Sequence, residues 1–257
     1  MIRLTADDYG IGDAQDALVR DLAMEGCIQG ISAFAGPLRY FDVLTSITGL
    51  SLGLHLNLTD GGPSAPPEKV PTLLDEAGHF LGAKAFPRRL LMRRIRQKEI
   101  QIEIRAQIHR YLEAGGRLDH IDTHRHIHRF LPVLRALLQE LEIEATRPII
   151  RSLERRIFDA QTGACGLRPT TAYLMQRPGR CVTVLLKQWQ RRRIDRSGLT
   201  QTAGLLTPIN QLPADTSSAA EVWSRAMERV GTGQWEANFH PGWIPKEAEL
   251  LRQIRST

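Results

Sequence analysis

Two adjacent carboxylates, Asp7 and Asp8, follow a short apolar run at residues 2–6. Burying two carboxylates at the end of a strand is costly unless another group pairs with them, and a cation is the natural partner. The same pair could instead cap a helix that begins near Asp13. The pair alone therefore does not decide between a metal site and a helix cap.

A histidine-rich segment at residues 119–128 holds four of the eight histidines. In an extended chain side chains alternate between two faces. Five polar side chains would therefore share one face until the strand ends: His120, Asp122, His124, His126 and His128. Such a face suits metal ligands better than it suits a plain surface, and a chance cluster of exposed histidines is the alternative.

Two further histidines lie within or at the end of strand-like runs. His55 is the one ionisable residue between Leu50 and Thr59, and a single histidine on an apolar strand is more often a hydrogen-bonded core residue than a ligand. His240 ends the last strand-like run and precedes Pro241. Three imidazole or carboxylate ligands from separate strand ends, with one open position, would describe a catalytic metal site. Mixed ligands of this kind suit zinc and other divalent ions.

The elements that must position these residues alternate along the chain. Strand-like runs are predicted at residues 2–6, 28–34, 50–56, 117–122, 149–150 and 235–240, and helices begin near Asp13 and cover about 86–112 and 131–141. Residues 151–210 are less legible, although 172–193 can be helical. Strands alternating with helices predict βαβ units and a parallel sheet.

About seven such units in 257 residues favour a barrel over an open sheet. The predicted fold is α/β, with a single TIM-barrel-like (β/α) barrel over residues 1–257, deformed in places and carrying inserted loops at the active-site mouth. In such barrels the chemistry lies at the carboxyl ends of the strands. The polar residues singled out above follow predicted strands.

Composition excludes several other classes of protein. With 42% apolar and 24% charged residues the chain is globular, and its apolar runs fall far short of the roughly 20 residues that span a bilayer. The start of the sequence has no signal-peptide pattern, so we expect a cytoplasmic protein. Cys27, Cys165 and Cys181 are too few and too widely spaced for a disulfide framework or a paired-cysteine zinc site, and we expect them to be buried.

Basic residues outnumber acidic ones by 34 to 28, and many lie in two runs, at residues 88–98 and 187–196. Charge runs usually form solvated helix faces. The functional alternative is that residues 88–98, together with the irregular loop at 60–71, border the active-site mouth and attract an anionic substrate. Apart from Trp189 the runs contain no aromatic residues, so no interleaved pattern supports base stacking and a nucleic-acid partner is not expected.

Four motifs in order resemble those of the YdjC-like carbohydrate deacetylases. They are the segments Thr5–Gly10 (TADDYG), Gly53–Thr59 (GLHLNLT), His120–His128 (HIDTHRHIH) and His240–Gly242 (HPG). Tyr9 stands where the family usually has phenylalanine, and residues 151–218 are harder to match. Together the motifs reach across nearly the whole chain.

The resemblance implies a TIM-barrel-like, metal-dependent hydrolase that removes the acetyl group from an N-acetylated sugar. It implies that Asp8, His55 and His124 hold one divalent ion, Mg²⁺ or Zn²⁺, that Asp7 is the general base, and that His240 is the general acid. Bound metals of this kind acidify water and polarise carbonyl groups.

Five other residues of these motifs would then support the ligands or face the substrate: Asn57, His120, Asp122, His126 and His128. Asp122 is a candidate to orient an imidazole. The expected substrate is a small molecule or an oligosaccharide. The sequence leaves open an anionic or lipid-linked form of that sugar, and a homodimer.

Two other functions are compatible with the same residues. A metal-dependent phosphoesterase on a similar barrel would need two metals and more ligands, which His126, His128 and Asp122 could supply. A sugar- or metal-binding protein without activity would not need both Asp7 and His240. The number of metal ions bound per chain and turnover of N-acetylated sugars separate these alternatives.

Overall fold

The computed structural model describes residues 2–36, 38–159, 189–209 and 212–256. In these residues eight strands form one sheet, and every recorded pairing between them is parallel. The strands are β1 (Ile2–Tyr9), β2 (Gly30–Ala33), β3 (Ser51–Leu56), β4 (His120–Thr123), β5 (Ile149–Ile150), β6 (Arg155–Asp159), β7 (Gly204–Ile209) and β8 (Trp235–Phe239).

Helices connect most of these strands, as βαβ units require. They are α1 (Asp13–Met24), α2 (Phe41–Ser46), α3 (Gly82–Leu91), α4 (Gln97–Glu113), α5 (Leu131–Ile143), α6 (Thr216–Glu228) and α7 (Pro245–Ser256). Residues 189–196 are also helical. Short 3₁₀ turns cover Pro67–Lys69, Pro71–Leu73 and His124–Arg129.

The sheet runs in the order β5-β4-β3-β2-β1-β8-β7-β6, so the first and last strands of the chain are neighbours near its centre. Its two outer strands, β5 and β6, are close in sequence. Ile150 N donates to Thr200 O at 2.8 Å, and Thr202 N donates to Ile150 O at 3.0 Å, so the segment before β7 also runs beside β5. The parallel sheet forms a half-barrel and is compatible with the expected TIM-like barrel.

The central strands are buried on both faces, which is why they read as apolar runs rather than as alternating ones. Leu52, Leu54 and Leu56 of β3 are all buried. Gly53 lies between them, and a Cβ on it would come within 2.4 Å of the His120 carbonyl oxygen on β4. Glycine at this position therefore permits the close approach of β3 and β4.

Several predicted elements are confirmed, while others are wrong in detail. The first three strands, the helix from Leu131, the short strand at 149–150 and the last strand lie where the sequence placed them. The helix predicted over 86–112 is two helices, α3 and α4, because Arg93 between them adopts a left-handed φ of 55°. Strands β6 and β7 lie within residues 151–210, where no strand was predicted.

Other expectations concern residues on the surface or outside the described ranges. Cys27 is a buried free thiol, as expected, whereas Cys165, Cys181 and most of the predicted helix at 172–193 lie outside the described residues. Among the helices of the described part of the chain, none has the length and apolar character needed to cross a membrane.

Candidate active site

The carboxyl ends of four strands bring the predicted residues to one edge of the sheet. Asp7 and Asp8 lie at the end of β1, His55 near the end of β3, Asp122 near the end of β4, and His240 directly after β8. Since all strands are parallel, these ends point the same way. Residues up to 233 positions apart in sequence therefore meet at one site.

The end of β1 is irregular, and this irregularity separates the two aspartates. The register with β2 shifts between Ala6 and Tyr9, and Asp8 has a left-handed φ of 61°. A non-glycine residue in this region is strained and is often found at functional sites. Because of this conformation, Asp7 and Asp8 contact different partners despite their adjacency.

Asp8 meets the two histidines of the predicted ligand set. Its Oδ1 atom lies 3.1 Å from His55 Nε2 and 2.9 Å from His124 Nδ1, and one ligand atom from each of the three residues lies within 4.8 Å of the others. The edge of Phe34 packs against both imidazoles, with ring centroids 5.1 and 5.3 Å apart. The structure thus brings all three predicted ligands together against an apolar wall.

Both nitrogens of each imidazole lie beside a carboxylate oxygen, so each ring has a second acidic neighbour besides Asp8. His55 Nδ1 lies 2.5 Å from Asp122 Oδ1, and His124 Nε2 lies 3.2 Å from Asp60 Oδ2. A neutral imidazole carries one proton, so a ring that donates this proton to Asp122 or Asp60 turns a lone pair toward Asp8. Three electron-pair donors then face one another, and a cation between them would make the arrangement attractive.

The electrostatics of this cluster agree with a site built for positive charge. Burial would raise the pKa of Asp8, but hydrogen bonds from His124 and His55 outweigh it and hold that pKa far below its usual range. Burial would lower the pKa of His55, but the charge and hydrogen bond of Asp122, with help from Asp8, raise it to about 10. Without another cation, a proton on His55 would supply the charge that this site favours.

Arg151 lies beneath the ligand set and pairs with three carboxylates. Its two terminal nitrogens each donate a 2.7 Å hydrogen bond to Asp7, and Nη2 also lies 2.5 Å from Asp122 Oδ2 and 2.7 Å from Glu236 Oε1. All four side chains are buried. Burial disfavours the guanidinium charge, but the carboxylates of Asp122, Asp7 and Glu236 raise the pKa of Arg151 well above its ordinary value.

A second acidic group with His55, formed by Asp7 and Asp122, also has the spacing of a metal site. Arg151 already neutralises both of these carboxylates. Asp122 additionally accepts a 2.7 Å hydrogen bond from Ser32 Oγ. The second group is therefore an ion-pair network, and a second cation would have to compete with a buried guanidinium.

His240 lies beside Asp7 at the same edge of the sheet. Its Nε2 atom lies 4.0 Å from Asp7 Oδ2, and its side chain is partly exposed. The His240 backbone N–H donates to Glu247 of α7, and Asn238 Nδ2 donates to Asp7 Oδ2 at 3.2 Å. Asp7 and His240 are thus adjacent, with only the imidazole partly open to solvent.

The alternation predicted for the histidine-rich segment holds only for His120 and Asp122. Strand β4 ends at Thr123, and the 3₁₀ turn that follows contains two left-handed residues, Arg125 (φ 54°) and His126 (φ 53°). The shared face was predicted only up to the end of the strand, and it therefore includes His120 and Asp122 but not the three later histidines. His124 reaches the ligand set from the turn rather than from the strand.

The remaining histidines of this segment are held by the protein itself. His120 contacts Ser32 Oγ at 3.0 Å and Ser51 Oγ at 2.8 Å, and burial lowers its pKa to about 3. His128 contacts Thr123 Oγ1 at 2.6 Å and the Arg151 carbonyl at 3.1 Å. His120 and His128 are buried under the site and do not line the cleft.

His126 is largely enclosed, and burial lowers its pKa well below the usual value. Its Nδ1 atom has no hydrogen-bond partner within the described ranges. It does not join the cluster of Asp8, His55 and His124.

The Asn57 side chain stabilises the loop after β3 through hydrogen bonds to the loop backbone. Its Oδ1 atom accepts the backbone N–H groups of Thr59 and Asp60 at 2.9 and 3.1 Å, and its Nδ2 donates to Asp60 O at 2.6 Å. Arg125 grips both carboxylate oxygens of Asp60, at 2.8 and 3.1 Å. The loop therefore presents Asp60 to His124.

A cleft of about 600 Å³ opens above the ligand set, within the usual range for small-molecule sites. Its lining includes Asp8, His124 and His240, with Phe34, Ile11, Ile244 and Trp243 as its apolar part. Another cavity, of about 270 Å³ between β7, β8, α6 and α7, is mainly apolar and does not reach the three ligands. The first cleft is therefore the candidate active site.

The prediction about the mouth of the site is half supported by this lining. Asp60 and Gly61 of the irregular loop border the cleft, whereas none of the exposed arginines at residues 88–96 does. Arg125 is the one described arginine in the lining, and Asp60 already pairs with it.

Several residues of the site were not identified from the sequence, among them Phe34, Asp60 and Arg151. Arg151 carried a usable signal, because it is a charged residue directly after the short apolar strand at 149–150. Asp60 and Phe34 carried none, since an aspartate in a polar loop and a phenylalanine after a strand are both ordinary.

Comparison with known proteins gives one family. A family model described as "YdjC-like protein" matches residues 1–256. A carbohydrate deacetylase of Danio rerio is 29% identical over 141 residues, covering 54% of this chain and 45% of the relative. A carbohydrate deacetylase of Enterococcus faecalis is 29% identical over 165 residues, covering 60% and 61%. The chain thus spans about half to three-fifths of the length of these curated relatives.

A solved structure gives the fold. A crystal structure of an Enterococcus faecalis V583 protein, described provisionally as a cellobiose-phosphate cleavage protein, superposes with a TM-score of 0.68. The two sequences are 20% identical, and the superposition covers 99% of this chain and 92% of the other. At that identity the likeness concerns the architecture alone.

Proposed function

The chain belongs to the YdjC-like protein family, and from this premise we propose that it is a metal-dependent carbohydrate deacetylase. The reaction would be hydrolysis of the acetamide of an N-acetylated sugar to a free amine and acetate. The observation that carries the proposal is the convergence of Asp8, His55 and His124 beside Asp7 and His240 at the carboxyl edge of the sheet, where Asp8, His124 and His240 line the cleft. The names of the two relatives are consistent with it.

We propose that Asp8, His55 and His124 hold one divalent ion. The fit is chemical, because each imidazole turns one nitrogen toward the Asp8 carboxylate while a second carboxylate lies beside its other nitrogen. A neutral ring that keeps its proton on the side of the second carboxylate can give the nitrogen facing Asp8 to a metal ion. Two imidazoles and a carboxylate suit Zn²⁺ and other divalent ions, so Mg²⁺ and Zn²⁺ both remain to be tested. Such an ion would acidify a water molecule and polarise the acetyl carbonyl.

Asp7 is proposed to accept the proton of the attacking water at Oδ2. Arg151 fixes the plane of this carboxylate, and Asn238 contacts the same oxygen. Oδ2 also faces His240, across a gap of 4.0 Å. An oriented base of this kind contributes roughly 10² to 10⁴ in rate.

His240 is proposed to donate a proton from Nε2 to the leaving nitrogen. An amine is a poor leaving group until it is protonated, so an acid beside the cleft is chemically required. The Glu247 carboxylate anchors the backbone of His240. His240 is the partly exposed member of the pair, and it can therefore exchange its proton with solvent between turnovers.

Trp243 is proposed to stack on a sugar ring at the mouth of the cleft. It is 59% exposed, and its neighbours Ile11 and Ile244 are 38% and 45% exposed. Large apolar side chains exposed together indicate a binding surface. Trp243 N donates to His240 O at 2.9 Å in the same turn, and both residues line the cleft.

The phosphoesterase alternative is less well supported by the contacts. A second metal would need Asp122, His126 and His128, but Asp122 pairs with His55 and Arg151, and His128 bonds to Thr123 and to the Arg151 carbonyl. A binding protein without activity would not need Asp7 and His240 side by side. We further propose that residues 1–257 form one domain whose sheet closes as a barrel.

Acetate release is the direct test. The purified protein, stripped of metal and reloaded with Zn²⁺ or Mg²⁺, is incubated with N-acetylglucosamine, its 6-phosphate and N-acetylated oligosaccharides, and acetate is measured enzymatically. We expect metal-dependent release from at least one of these sugars and one metal ion per chain. Two ions per chain with hydrolysis of phosphate esters and no acetate would favour the phosphoesterase.

A further inference from the structure

Each of the two imidazoles that face Asp8 has a carboxylate behind it. For His55 the carboxylate is the buried Asp122, at 2.5 Å from Nδ1. For His124 it is Asp60, at 3.2 Å from Nε2. His55 contacts its carboxylate through Nδ1 and His124 through Nε2. Both imidazoles therefore have a carboxylate on the side away from Asp8, although they use different ring nitrogens.

We propose that Asp60 is the positioning residue of His124 and that it sets the affinity of the site for a divalent ion. This inference rests on the proposed function, because it assumes that His124 is a metal ligand. A carboxylate that accepts the second N–H of a ligating imidazole fixes the tautomer and the ring orientation, and it makes the ligating nitrogen more basic.

The loop after β3 is built to hold Asp60 in this place. Asn57 accepts the Asp60 backbone N–H, and Thr59 Oγ1 donates to Asp60 Oδ2 at 2.7 Å. Arg125, which follows His124 directly in the chain, donates to both oxygens of Asp60. Asp60 is thus held from its own loop and from the turn that carries His124.

These contacts hold Asp60 Oδ2 beside His124, although part of the Asp60 side chain stays exposed to solvent. The hydrogen bonds from Arg125 and Thr59 hold the pKa of Asp60 below its usual value, with Arg125 as the largest contribution and only partial opposition from burial. Asp60 does not itself belong to the cluster of three ligands. Its effect on an ion would therefore pass through the imidazole of His124.

The test compares metal binding of the full chain with that of Asp60→Ala and Asp60→Asn. The dissociation constant for Zn²⁺ is measured by competition with a chromophoric chelator, and the melting temperature of the metal-free protein is measured by circular dichroism. We expect zinc binding to weaken about 10- to 100-fold in both variants, while the metal-free melting temperatures stay close to that of the wild type.

A spectroscopic readout separates positioning from a general structural role. In zinc-loaded, ¹⁵N-labelled protein the Nε2–H signal of His124, identified by its loss in His124→Ala, should lie downfield because Asp60 accepts that proton. It should move upfield or exchange away in Asp60→Ala. The control is Asp75→Asn, because Asp75 is an exposed carboxylate that accepts the N–H groups of Ala77 and His79 in its own turn.

The outcomes distinguish this inference from the proposed function. If zinc binding depends on Asp8, His55 and His124 but Asp60→Ala has the wild-type affinity and an unchanged His124 signal, the role of Asp60 is overturned and the proposed function stands. If the wild type binds no divalent ion, or if Asp8→Ala does not affect binding, the proposed metal site fails first.

Discussion

Arg151 and Asp7 form a two-pronged ion pair in which each terminal guanidinium nitrogen donates a 2.7 Å hydrogen bond to a different carboxylate oxygen. The same guanidinium also contacts Asp122 and Glu236. One buried arginine therefore connects the proposed base to Asp122, which holds His55. Base and ligand are positioned by the same cation.

Replacing Arg151 with methionine should destabilise the fold strongly. The change leaves Asp7, Asp122 and Glu236 buried without their shared countercharge, and breaking such a network costs about 3–5 kcal/mol. Urea denaturation at pH 7 would measure it. The control is Arg252→Met, because the Arg252–Glu25 pair is partly exposed on both sides and should contribute under about 1 kcal/mol. A similar decrease in the free energy of unfolding in both variants would mean that the buried Arg151 network stabilises the fold no more than an exposed ion pair does.

The roles of the two adjacent aspartates should separate by substitution. Asp7→Asn should keep the metal and lose about 10² to 10⁴ in turnover, and it should fold because Arg151 retains Asp122 and Glu236. Asp8→Ala should lose the metal itself. His240→Ala should keep the metal and lose turnover more with an amide than with an activated ester, whose leaving group needs no proton.

Metal content by atomic absorption and acetate release together check these three variants. Equal metal loss in all of them, or near-normal turnover in Asp7→Asn, would show that the roles are assigned wrongly.

The sequence was enough to identify the polar residues at strand ends, for a physical reason. His55 lies one residue before the end of a strand-like run and His240 ends another, and a polar residue in such a position of a parallel sheet falls at the carboxyl edge. The order of the motifs then gave the ligand set that the structure brings together. Local pattern and topology agree at these positions.

Contacts between distant segments could not be predicted from the sequence. The left-handed turn at Arg125 and His126 interrupts an alternation that looked regular, and its cause is tertiary, since Arg125 reaches Asp60 on another loop. Arg151 and Glu236 meet although they are 85 positions apart. No local propensity encodes such pairs.

Trp243→Ala should raise KM for an N-acetylated sugar by about 3- to 10-fold with little change in kcat or metal content. The reason is loss of one stacking contact, which is worth about 0.5–1.5 kcal/mol for aromatic partners. Trp243→Phe should retain most of the affinity. Trp189→Ala is the matched control, since Trp189 is a partly exposed indole that does not line the cleft. An unchanged KM in Trp243→Ala would remove Trp243 from the substrate site.

Neutralising the basic segment should leave substrate binding unchanged. Arg93 and Arg94 are exposed and do not line the cleft, and exposed charges beyond about 10 Å are largely screened at ordinary ionic strength. The double substitution Arg93→Gln, Arg94→Gln should therefore have the wild-type KM for neutral and phosphorylated sugars at 0.15 M salt. A rise in KM for the phosphorylated sugar alone would restore the earlier expectation that this segment attracts an anionic substrate.

Stability should fall as the pH drops below about 6.5, and His128 should account for part of the loss. Burial lowers the pKa of His128 to about 4, although the Asp122 charge opposes that shift. Between pH 6.5 and 4 the unfolded chain binds a proton at this position and the folded one does not, so the stability present above pH 6.5 is lost as the pH falls through this window. The shift corresponds to a loss on the order of 3 kcal/mol.

The test is urea denaturation of His128→Gln at pH 7.5 and 4.5. The free energy of unfolding should differ less between the two pH values in this variant than in the wild type. The control is His109→Gln, at an exposed imidazole paired with Glu144, which should keep the wild-type difference. A wild-type pH difference in His128→Gln would assign the acid sensitivity to other groups, of which the buried His120 is the first to test.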